Sequence, residues 1–283
     1  MDEGNGDTPS QPDMPPAPDD TEQYIMYLLT MQVTPALLRA YAHKLEFLRR
    51  CSFYIEIMHN YPEHDHNYTL NSTVLHLIDP WRLQRMKKMG NAQVKVQLAL
   101  LEELYSMLSR GRAELEALVG RIRLGSLVLE EEDAIQGKIA SLLKVAVEFE
   151  EAMVPGSVHL KHKLISEARS SEVPQLCLAL SIKKPVVFDK ALCAASSNSV
   201  VLHWGIEEQE QHETGEQFKI HYKLLHPTTE PLRTQMATLT CVSYCIKVNN
   251  LIPDRLYEFT VKRLDSCFLV YGPWIDAVWL KTI

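Results

Sequence analysis

The stretch Asn249–Val261, NNLIPDRLYEFTV, joins turn-forming residues to an alternating run of Tyr257, Phe259 and Val261. Alternation of apolar and polar side chains is typical of a strand that buries one face. Because the same alternation recurs through the last third of the chain, this stretch decides how that whole region is interpreted.

The region after Lys183 contains further short segments in which β-branched and aromatic residues alternate with polar ones. The predicted strands are 186–189, 199–204, 218–225, 236–244, 245–248, 257–261 and 274–280. Polar segments such as Glu207–Glu216 separate them. Short strands in this number predict a β-sandwich of two sheets over residues 183–283.

The predicted sandwich resembles a fibronectin type III domain. The residues that carry the resemblance are Trp204, Tyr222, Leu251, Pro253, Tyr257 and the closing Lys281-Thr282. The resemblance implies that Trp204 lies in the core. It also implies that Leu251, Pro253 and Tyr257 form a tyrosine corner, in which the phenol hydroxyl bonds to nearby backbone while the ring packs.

One residue departs from the pattern of that family. Asp254 stands where a glycine commonly follows the proline of the corner. Aspartate also adopts turn conformations, so the departure leaves the expected corner in place.

Residues 21–170 show apolar residues at intervals of three and four, which predicts a helical domain. Thr34-Pro35 is a helix start, because a capping hydroxyl precedes a proline at the first helical position. This helix is predicted to carry Ile55 and Met58 on its apolar stripe and to end by Tyr61, ahead of Pro62.

Asp79-Pro80 is a second helix start, and a short helix is expected to stop at Gly90-Asn91. A long helix is then predicted over residues 92–123, with an apolar residue at every seventh position: Val94, Leu101, Leu108, Leu115 and Ile122. This seam packs inside an antiparallel helical bundle, docks onto another protein, or does both if it is only partly covered.

A further helix is predicted over residues 131–153 and a helical segment over residues 158–169. Residues 171–182 are predicted to be a connector, although its apolar patch Leu176–Ile182 has the length of a strand. The predicted fold class is therefore multidomain α plus β, with an N-terminal antiparallel helical bundle followed by a C-terminal fibronectin type III-like β-sandwich.

The net negative charge of the chain comes from its first residues. The formal net charge is -7, and residues 1–22 carry seven acidic and no basic side chains. Residues 1–20 are rich in proline and poor in apolar residues, which predicts a disordered tail. Residues 183–283 carry 11 charges of each sign. This balance predicts neither a nucleic-acid partner nor an anionic membrane partner.

The first twenty residues lack the basic start and apolar run of a signal peptide, which predicts a cytoplasmic protein. Six cysteines are then expected to be reduced thiols: Cys51, Cys177, Cys193, Cys241, Cys245 and Cys267. If Cys241 and Cys245 lie on one strand, they are roughly 13 Å apart. That separation is too long for a disulfide or for shared ligation of one metal ion.

No catalytic, cofactor-binding or metal-binding residue is predicted. His59, His64, Asp65 and His66 lie in or beside a polar loop over residues 62–73, and a closed zinc site needs four ligands in defined geometry. His159 and His162 have no neighbouring cysteine or carboxylate in the sequence. The acidic run Glu130–Asp133 favours the start of the following helix.

A tripeptide, Arg263-Leu-Asp265, resembles the integrin-binding tripeptides of extracellular relatives but differs in its middle residue. Integrin binding is therefore not predicted.

The order of the parts resembles a family of intracellular proteins that has no established catalytic activity. It implies a non-enzymatic protein–protein interaction or scaffold protein with protein partners and no cofactor. A cytoskeletal or axonemal role is the narrower hypothesis, because the long helix is charged and such sandwiches occur in filament-associated proteins.

Two alternatives remain open. An enzyme with an unrecognised site between the domains predicts a deep pocket lined by ionisable groups with shifted pKa values. A cell-surface adhesion domain predicts paired cysteines.

Overall fold

The computed structural model describes residues 21–59, 78–124, 132–154, 156, 176–209, 215–226, 235–264 and 268–283. Its helices are α1 Thr21–Tyr27, followed by a π-helical turn Leu28–Gln32, then α2 Pro35–Arg50, α3 Pro80–Arg123 and α4 Glu132–Ala152. The described residues divide into two compact units. The first takes its residues from 1–45 and 97–154, and the second from 46–96 and 155–283.

The first unit is helical, and its helices α3 and α4 run antiparallel. Gln97 donates to the carbonyl of Ala152 over 2.6 Å, whereas Lys138 Nζ lies 3.3 Å from Glu114 Oε2 further along the pair. The ring of Tyr41 in α2 stacks on Phe149 in α4 at 4.4 Å. The predicted antiparallel helical packing is confirmed in this unit.

Both predicted helix starts are confirmed. The Leu37 N–H donates to Thr34 Oγ1 over 3.0 Å, and the Trp81 N–H donates to Asp79 Oδ1 over 2.9 Å. In each case the side chain accepts from one of the first N–H groups, which have no partner inside the helix.

The heptad seam of α3 is covered. Its members are buried except Ile122, which is half-buried. Gly111 leaves room for Leu142 of α4, whose Cδ1 would lie 2.6 Å from a Cβ at that position. Within the first unit, the seam therefore serves packing, and the docking alternative is not needed to explain it.

The prediction that the first long helix continues to Tyr61 is wrong. Helix α2 ends at Arg50, and Ser52–His59 forms strand β1. The alternation of buried Phe53, Ile55 and Ile57 with more exposed residues is the period of a strand, not a helix. Three apolar residues at spacing two, all β-branched or aromatic, outweigh the helical spacing of Ile55 and Met58.

The predicted stop at Gly90-Asn91 is also wrong, because α3 passes through both residues without interruption. A Cβ at Gly90 would lie 3.3 Å from Val270 and 3.5 Å from Leu180. Asn91 Nδ2 donates to the carbonyl of Val270 over 2.6 Å. These two residues are thus the point where α3 packs closely against a sheet.

The remaining strands are β2 Leu176–Lys183, β3 Val186–Phe188, β4 Ala194–Ala195, β5 Val200–Ile206, β6 Phe218–Leu224, β7 Met236–Cys241, β8 Cys245–Val248, β9 Leu256–Arg263, β10 Leu269–Tyr271 and β11 Asp276–Lys281. Strand β1 lies between β10 and β2 in a three-stranded antiparallel sheet. The strand-sized patch of the predicted connector is strand β2 of this sheet.

Two antiparallel sheets form the sandwich. One has the order β11-β9-β6-β7, and in the other β5 pairs with β3, β4 and β8. Their inner faces share one core: Val186, Phe188, Val200, Leu202, Trp204, Phe218, Ile220, Tyr222, Leu224, Val248, Leu251, Tyr257, Phe259, Val261 and Val278. The predicted fold class is confirmed.

Several expectations lie outside the described residues. They are the tail over residues 1–20, the loop over residues 62–73 and the helical segment over residues 158–169.

Candidate functional site

The predicted tyrosine corner is centred on the hydroxyl of Tyr257. The Ile252 N–H donates to Tyr257 Oη over 2.9 Å, and the hydroxyl donates to Gln235 Oε1. Gln235 Nε2 in turn donates to the carbonyl of Asn250 over 2.7 Å. Burial raises the pKa of Tyr257, so the hydroxyl stays protonated and available as a donor. Gln235 was not anticipated, since it lies 22 residues from Tyr257 in the sequence.

The turn before Tyr257 contains Pro253 and two residues with positive φ. Asn250 has φ 60° and Asp254 has φ 55°, a region that Asn and Asp enter more readily than most residues. Asp254 therefore supplies the backbone geometry for which relatives commonly use glycine. Its carboxylate lies 2.6 Å from Lys281 Nζ, and this hydrogen bond and charge hold the pKa of Asp254 below its usual value.

The other residues that carry the resemblance lie inside the sandwich. Trp204 meets Phe188 and Phe218 edge-on at 6.3 and 5.7 Å, and Tyr222 lies 5.9 Å from the ring of Phe259. Leu251 is buried beside them. Trp204 Nε1 is buried and has no hydrogen-bond partner among the described residues. Because these side chains pack in the core of the sandwich, their role is structural.

A charged cluster is buried where the sandwich meets the three-stranded sheet. Glu216 Oε1 lies 2.7 Å from Lys183 Nζ, and its Oε2 lies 2.9 Å from Arg263 Nε. The side chains of Glu216 and Arg263 are only 6% and 8% exposed. Arg263 also donates to the carbonyl of Lys184. We call Lys183, Glu216 and Arg263 the Glu216 cluster.

The electrostatics of the Glu216 cluster favour the charged form of the carboxyl. Burial alone would raise the pKa of Glu216. The hydrogen bond from Lys183, with the charge and hydrogen bonds of Arg263, outweighs burial and holds the pKa below its ordinary value. The carboxylate is occupied by its partners, so the arrangement is that of an internal ion network.

A second ion pair lies in the same unit. Arg50, the last residue of α2, makes a bidentate contact with Glu207 at 2.6 and 2.8 Å. Its guanidinium lies 5.1 Å from the ring centroid of Trp274, which donates from Nε1 to the carbonyl of Val186. Planar bidentate pairing and stacking are specific to arginine, so this contact fixes the end of α2 on the sandwich.

Cys51 follows Arg50 and is buried. Burial raises the pKa of its thiol to about 11, against the opposing charge of Arg50. Since the thiolate is the nucleophile, Cys51 is a poor candidate for covalent catalysis near neutral pH.

An open groove of about 670 Å³ runs over the sheet that contains β3 and β5. Val187, Leu192, His203, Gly205 and Cys245 are among its lining residues. The His203 N–H donates to Cys193 Sγ over 3.3 Å, so that neighbouring thiol has a structural partner. The groove offers a shallow, largely apolar surface.

The outer face of the sheet β11-β9-β6-β7 carries a row of side chains across all four of its strands. Register places Trp279 opposite Glu258, Glu258 opposite Lys223, and Lys223 opposite Met236. Trp279 is 54% exposed and Met236 is 60% exposed, and a 2.5 Å ion pair between Lys223 and Glu258 lies between them. We call these four residues the Trp279 face.

The remaining sequence candidates do not assemble into a site. Cys241 ends β7 and Cys245 begins β8, so the two cysteines lie on different strands, as the predicted strands 236–244 and 245–248 had them. Arg263 of the integrin-like tripeptide is committed to Glu216, and Asp265 lies outside the described residues. His64, Asp65, His66, His159 and His162 lie outside them as well.

Within the described residues, no three His, Cys, Asp or Glu side chains are placed to bind one metal ion. In the same part of the chain, every helix is too short or too polar to cross a bilayer.

Two family models match the chain. One is described as the N-terminal domain of a family of unknown function, DUF5581, and matches residues 19–178. The other is described as the Fn3-like domain of the same family and matches residues 183–283. The resemblance of the last hundred residues to a fibronectin type III domain is thereby confirmed.

Curated relatives match over most of the chain. Fibronectin type III domain-containing protein 11 of Homo sapiens is 39% identical over 90% of this chain and 80% of its own length. The protein of that name from Bos taurus is 40% identical over 90% of this chain and 76% of its own length.

A solved structure, the sixth fibronectin type III domain of human fibronectin type III domain containing protein 3, is 13% identical. It covers 32% of this chain and 77% of that one, with a TM-score of 0.23. The family assignment therefore depends on the sequence matches.

Proposed function

The chain belongs to the family of fibronectin type III domain-containing protein 11, and on that premise we propose that it is a non-enzymatic intracellular protein that binds partner proteins. The Trp279 face is the observation that carries the proposal. Tryptophan is enriched among the residues that dominate binding energy, and an exposed tryptophan on a regular sheet face is a preorganised anchor. The flanking Lys223–Glu258 pair would supply a polar rim.

The polar groups of the second unit support a non-enzymatic role. The buried Glu216 carboxylate is neutralised by two cations, and the buried Cys51 thiol has a raised pKa. Each of these groups is explained by its contacts within the fold. An enzyme instead requires such groups to face a substrate cavity.

The cysteines support an intracellular location. Cys51, Cys193, Cys241 and Cys245 are free thiols, and a secreted adhesion domain of this size would more commonly pair its cysteines. Titration with a thiol reagent under denaturing conditions should find all six cysteines of the chain reduced.

A cytoskeletal or axonemal role is the narrower proposal. Helix α3 has 44 residues, which corresponds to about 66 Å of helix. Long charged helices and fibronectin-like sandwiches both occur in filament-associated proteins. Tagged protein in ciliated cells and sperm should follow filaments or axonemes, and a diffuse distribution would refute this proposal.

The interaction itself is tested by point variants of the full chain. Removing residues 183–283 would also remove strand β10, which pairs with β1, so a deletion would disturb more than one surface. Trp279→Ala should abolish capture of partners from cells that express the protein. Val242→Ala, at an exposed apolar residue in the bend between β7 and β8, is the matched control. Equal capture by the two variants would exclude the Trp279 face.

A further inference from the structure

The first half of α3 carries a concentration of positive charge. Between residues 80 and 101 there are five basic residues and no acidic one: Arg82, Arg85, Lys87, Lys88 and Lys95. The chain as a whole has a net charge of -7, so this segment is the opposite of its surroundings. This local excess of basic residues is hidden when the charge is summed over the whole chain.

The packing of α3 decides which residues of this segment face outward. Met86, Gly90 and Val94 are buried, and Gly90 approaches Val270 and Leu180 of the three-stranded sheet. On a helix of 3.6 residues per turn, the opposite side holds Trp81, Arg85, Lys88, Ala92, Lys95 and Val96. All six are exposed, and Trp81 is 86% exposed. We call this set the basic helix face.

The charges of this face are not used inside the described part of the chain. Arg82, at its edge, pairs with Asp79 at 3.7 Å. Among the described residues, no acidic side chain forms an ion pair with Arg85, Lys88 or Lys95. The contact of Gly90 and Asn91 with Val270 holds the helix in one orientation, so the three cations are displayed at fixed spacing.

We propose that the basic helix face binds an acidic segment of a partner protein, with Trp81 as its apolar anchor. The separation of Arg85 and Lys95 along the helix is about 15 Å, which an extended segment of about five residues spans. Opposite charge steers such a segment to the face, and tryptophan supplies contact area at its end. This proposal is independent of the Trp279 face.

Other polyanions fit the face less well. Nucleic-acid-binding domains are commonly basic as a whole, whereas the sequence pI here is about 5.9. A helix that lies in a membrane surface needs a continuous apolar face, and in this segment of α3 the apolar side around Gly90 is buried. A short acidic segment meets only the face itself and avoids the acidic remainder of the chain.

The test uses the full chain and a fluorescein-labelled peptide of twelve glutamates around a central Phe-Leu pair. A peptide with glutamine in place of glutamate is the neutral control. Fluorescence anisotropy at low salt should show saturable binding of the acidic peptide only. Binding should weaken when the ionic strength is raised, because exposed charges are then screened.

Two triple variants of equal net charge assign the binding to the face. Arg85→Glu/Lys88→Glu/Lys95→Glu should lower the affinity roughly tenfold or more. Lys44→Glu/Lys190→Glu/Lys247→Glu, at exposed residues elsewhere, should leave it within roughly twofold. Trp81→Ala should lower the affinity roughly three- to tenfold. Since all these residues are exposed, circular dichroism should show an unchanged fold.

Four results would overturn the proposal. They are absence of binding to the acidic peptide, equal losses in the two triple variants, and tighter binding of phosphatidylserine vesicles or duplex DNA through the same residues. The fourth is binding that appears only after removal of residues 1–20, which would assign the face to the acidic tail of the chain itself. Capture through Trp279 should be unaffected by the triple variant, so the two proposals fail separately.

Discussion

The tyrosine corner and the Glu216 cluster both bury polar groups in the second compact unit, but they differ in charge and in range. The corner is a neutral network closed within residues 235–257. The Glu216 cluster is ionic and joins residues 33 and 47 positions apart. Losing a neutral hydrogen bond leaves an unpaired dipole, whereas losing one member of a buried ion pair leaves an unpaired charge. The cluster should therefore be the more sensitive of the two regions.

The largest effect is expected from Glu216→Ala. Removal of the carboxylate leaves the guanidinium of Arg263, only 8% exposed, without its counter-charge. Breaking a buried ion pair in this way costs about 3–5 kcal/mol. Urea unfolding of the full chain should show a corresponding fall in the free energy of unfolding.

A paired substitution separates ionic destabilisation from packing. Glu216→Leu/Arg263→Leu removes both charges and should recover much of the stability lost in Glu216→Ala, because no charge is left unpaired. If Glu216→Ala costs less than about 1 kcal/mol, the cluster behaves as a solvated surface pair and the contrast with the corner fails.

A smaller effect is expected from Tyr257→Phe. The ring remains in the core, but the Ile252 N–H and Gln235 Oε1 lose their partner. A buried group left unsatisfied costs about 1–3 kcal/mol. Tyr271→Phe is the matched control, since the structure gives the Tyr271 hydroxyl no partner among the described residues. An unchanged unfolding midpoint in Tyr257→Phe would contradict the stabilising role of the corner.

The two regions also differ in how far the sequence predicted them. Leu251, Pro253 and Tyr257 lie close in the chain, so a family pattern could identify the corner. Lys183, Glu216 and Arg263 are 33 and 47 positions apart and meet only in the folded unit, and no local pattern marks them. The sequence also did not predict strand β1, because its alternating stretch is short and directly follows the end of helix α2.

At Gly90, by contrast, a local pattern was present but predicted the wrong structure. A glycine followed by asparagine is a common helix stop, and the local prediction was reasonable. Tertiary packing decided otherwise, since the missing side chain lets α3 approach Val270. The positive charge behind the basic helix face, by contrast, is visible in the sequence, because residues 80–101 contain five basic side chains and no acidic one.

The Glu216 cluster should make stability depend on pH on the acid side. The pKa of Glu216 is held below its ordinary value of about 4.3 in the folded state. The unfolded carboxyl therefore takes up protons first, and the contribution is complete above that value and is lost as the pH falls through the folded pKa. Urea midpoints measured from pH 7 to pH 3 should fall in the native chain.

Glu216→Gln removes this titration, so its stability should change less over the same pH range. The corner provides the internal contrast, since the pKa of Tyr257 is raised and its hydroxyl remains protonated throughout. Parallel acid profiles for the native chain and Glu216→Gln would show that other carboxyl groups govern the acid limb.

The smallest effect is expected from Lys183→Met, which removes the outer cation of the cluster. The Lys183 side chain is 39% exposed, and its Nζ lies 5.7 Å from the ring centroid of Tyr54. Solvent can replace its contact with Glu216, and Arg263 remains to neutralise the carboxylate. The loss of unfolding free energy should therefore be about 0–1 kcal/mol, as for exposed ion pairs. Arg263→Met, at the buried cation, should cost several times more. If the two substitutions lower the free energy of unfolding equally, burial does not determine which cation of the cluster contributes more to stability. The contrast with the neutral corner would then lose its physical basis.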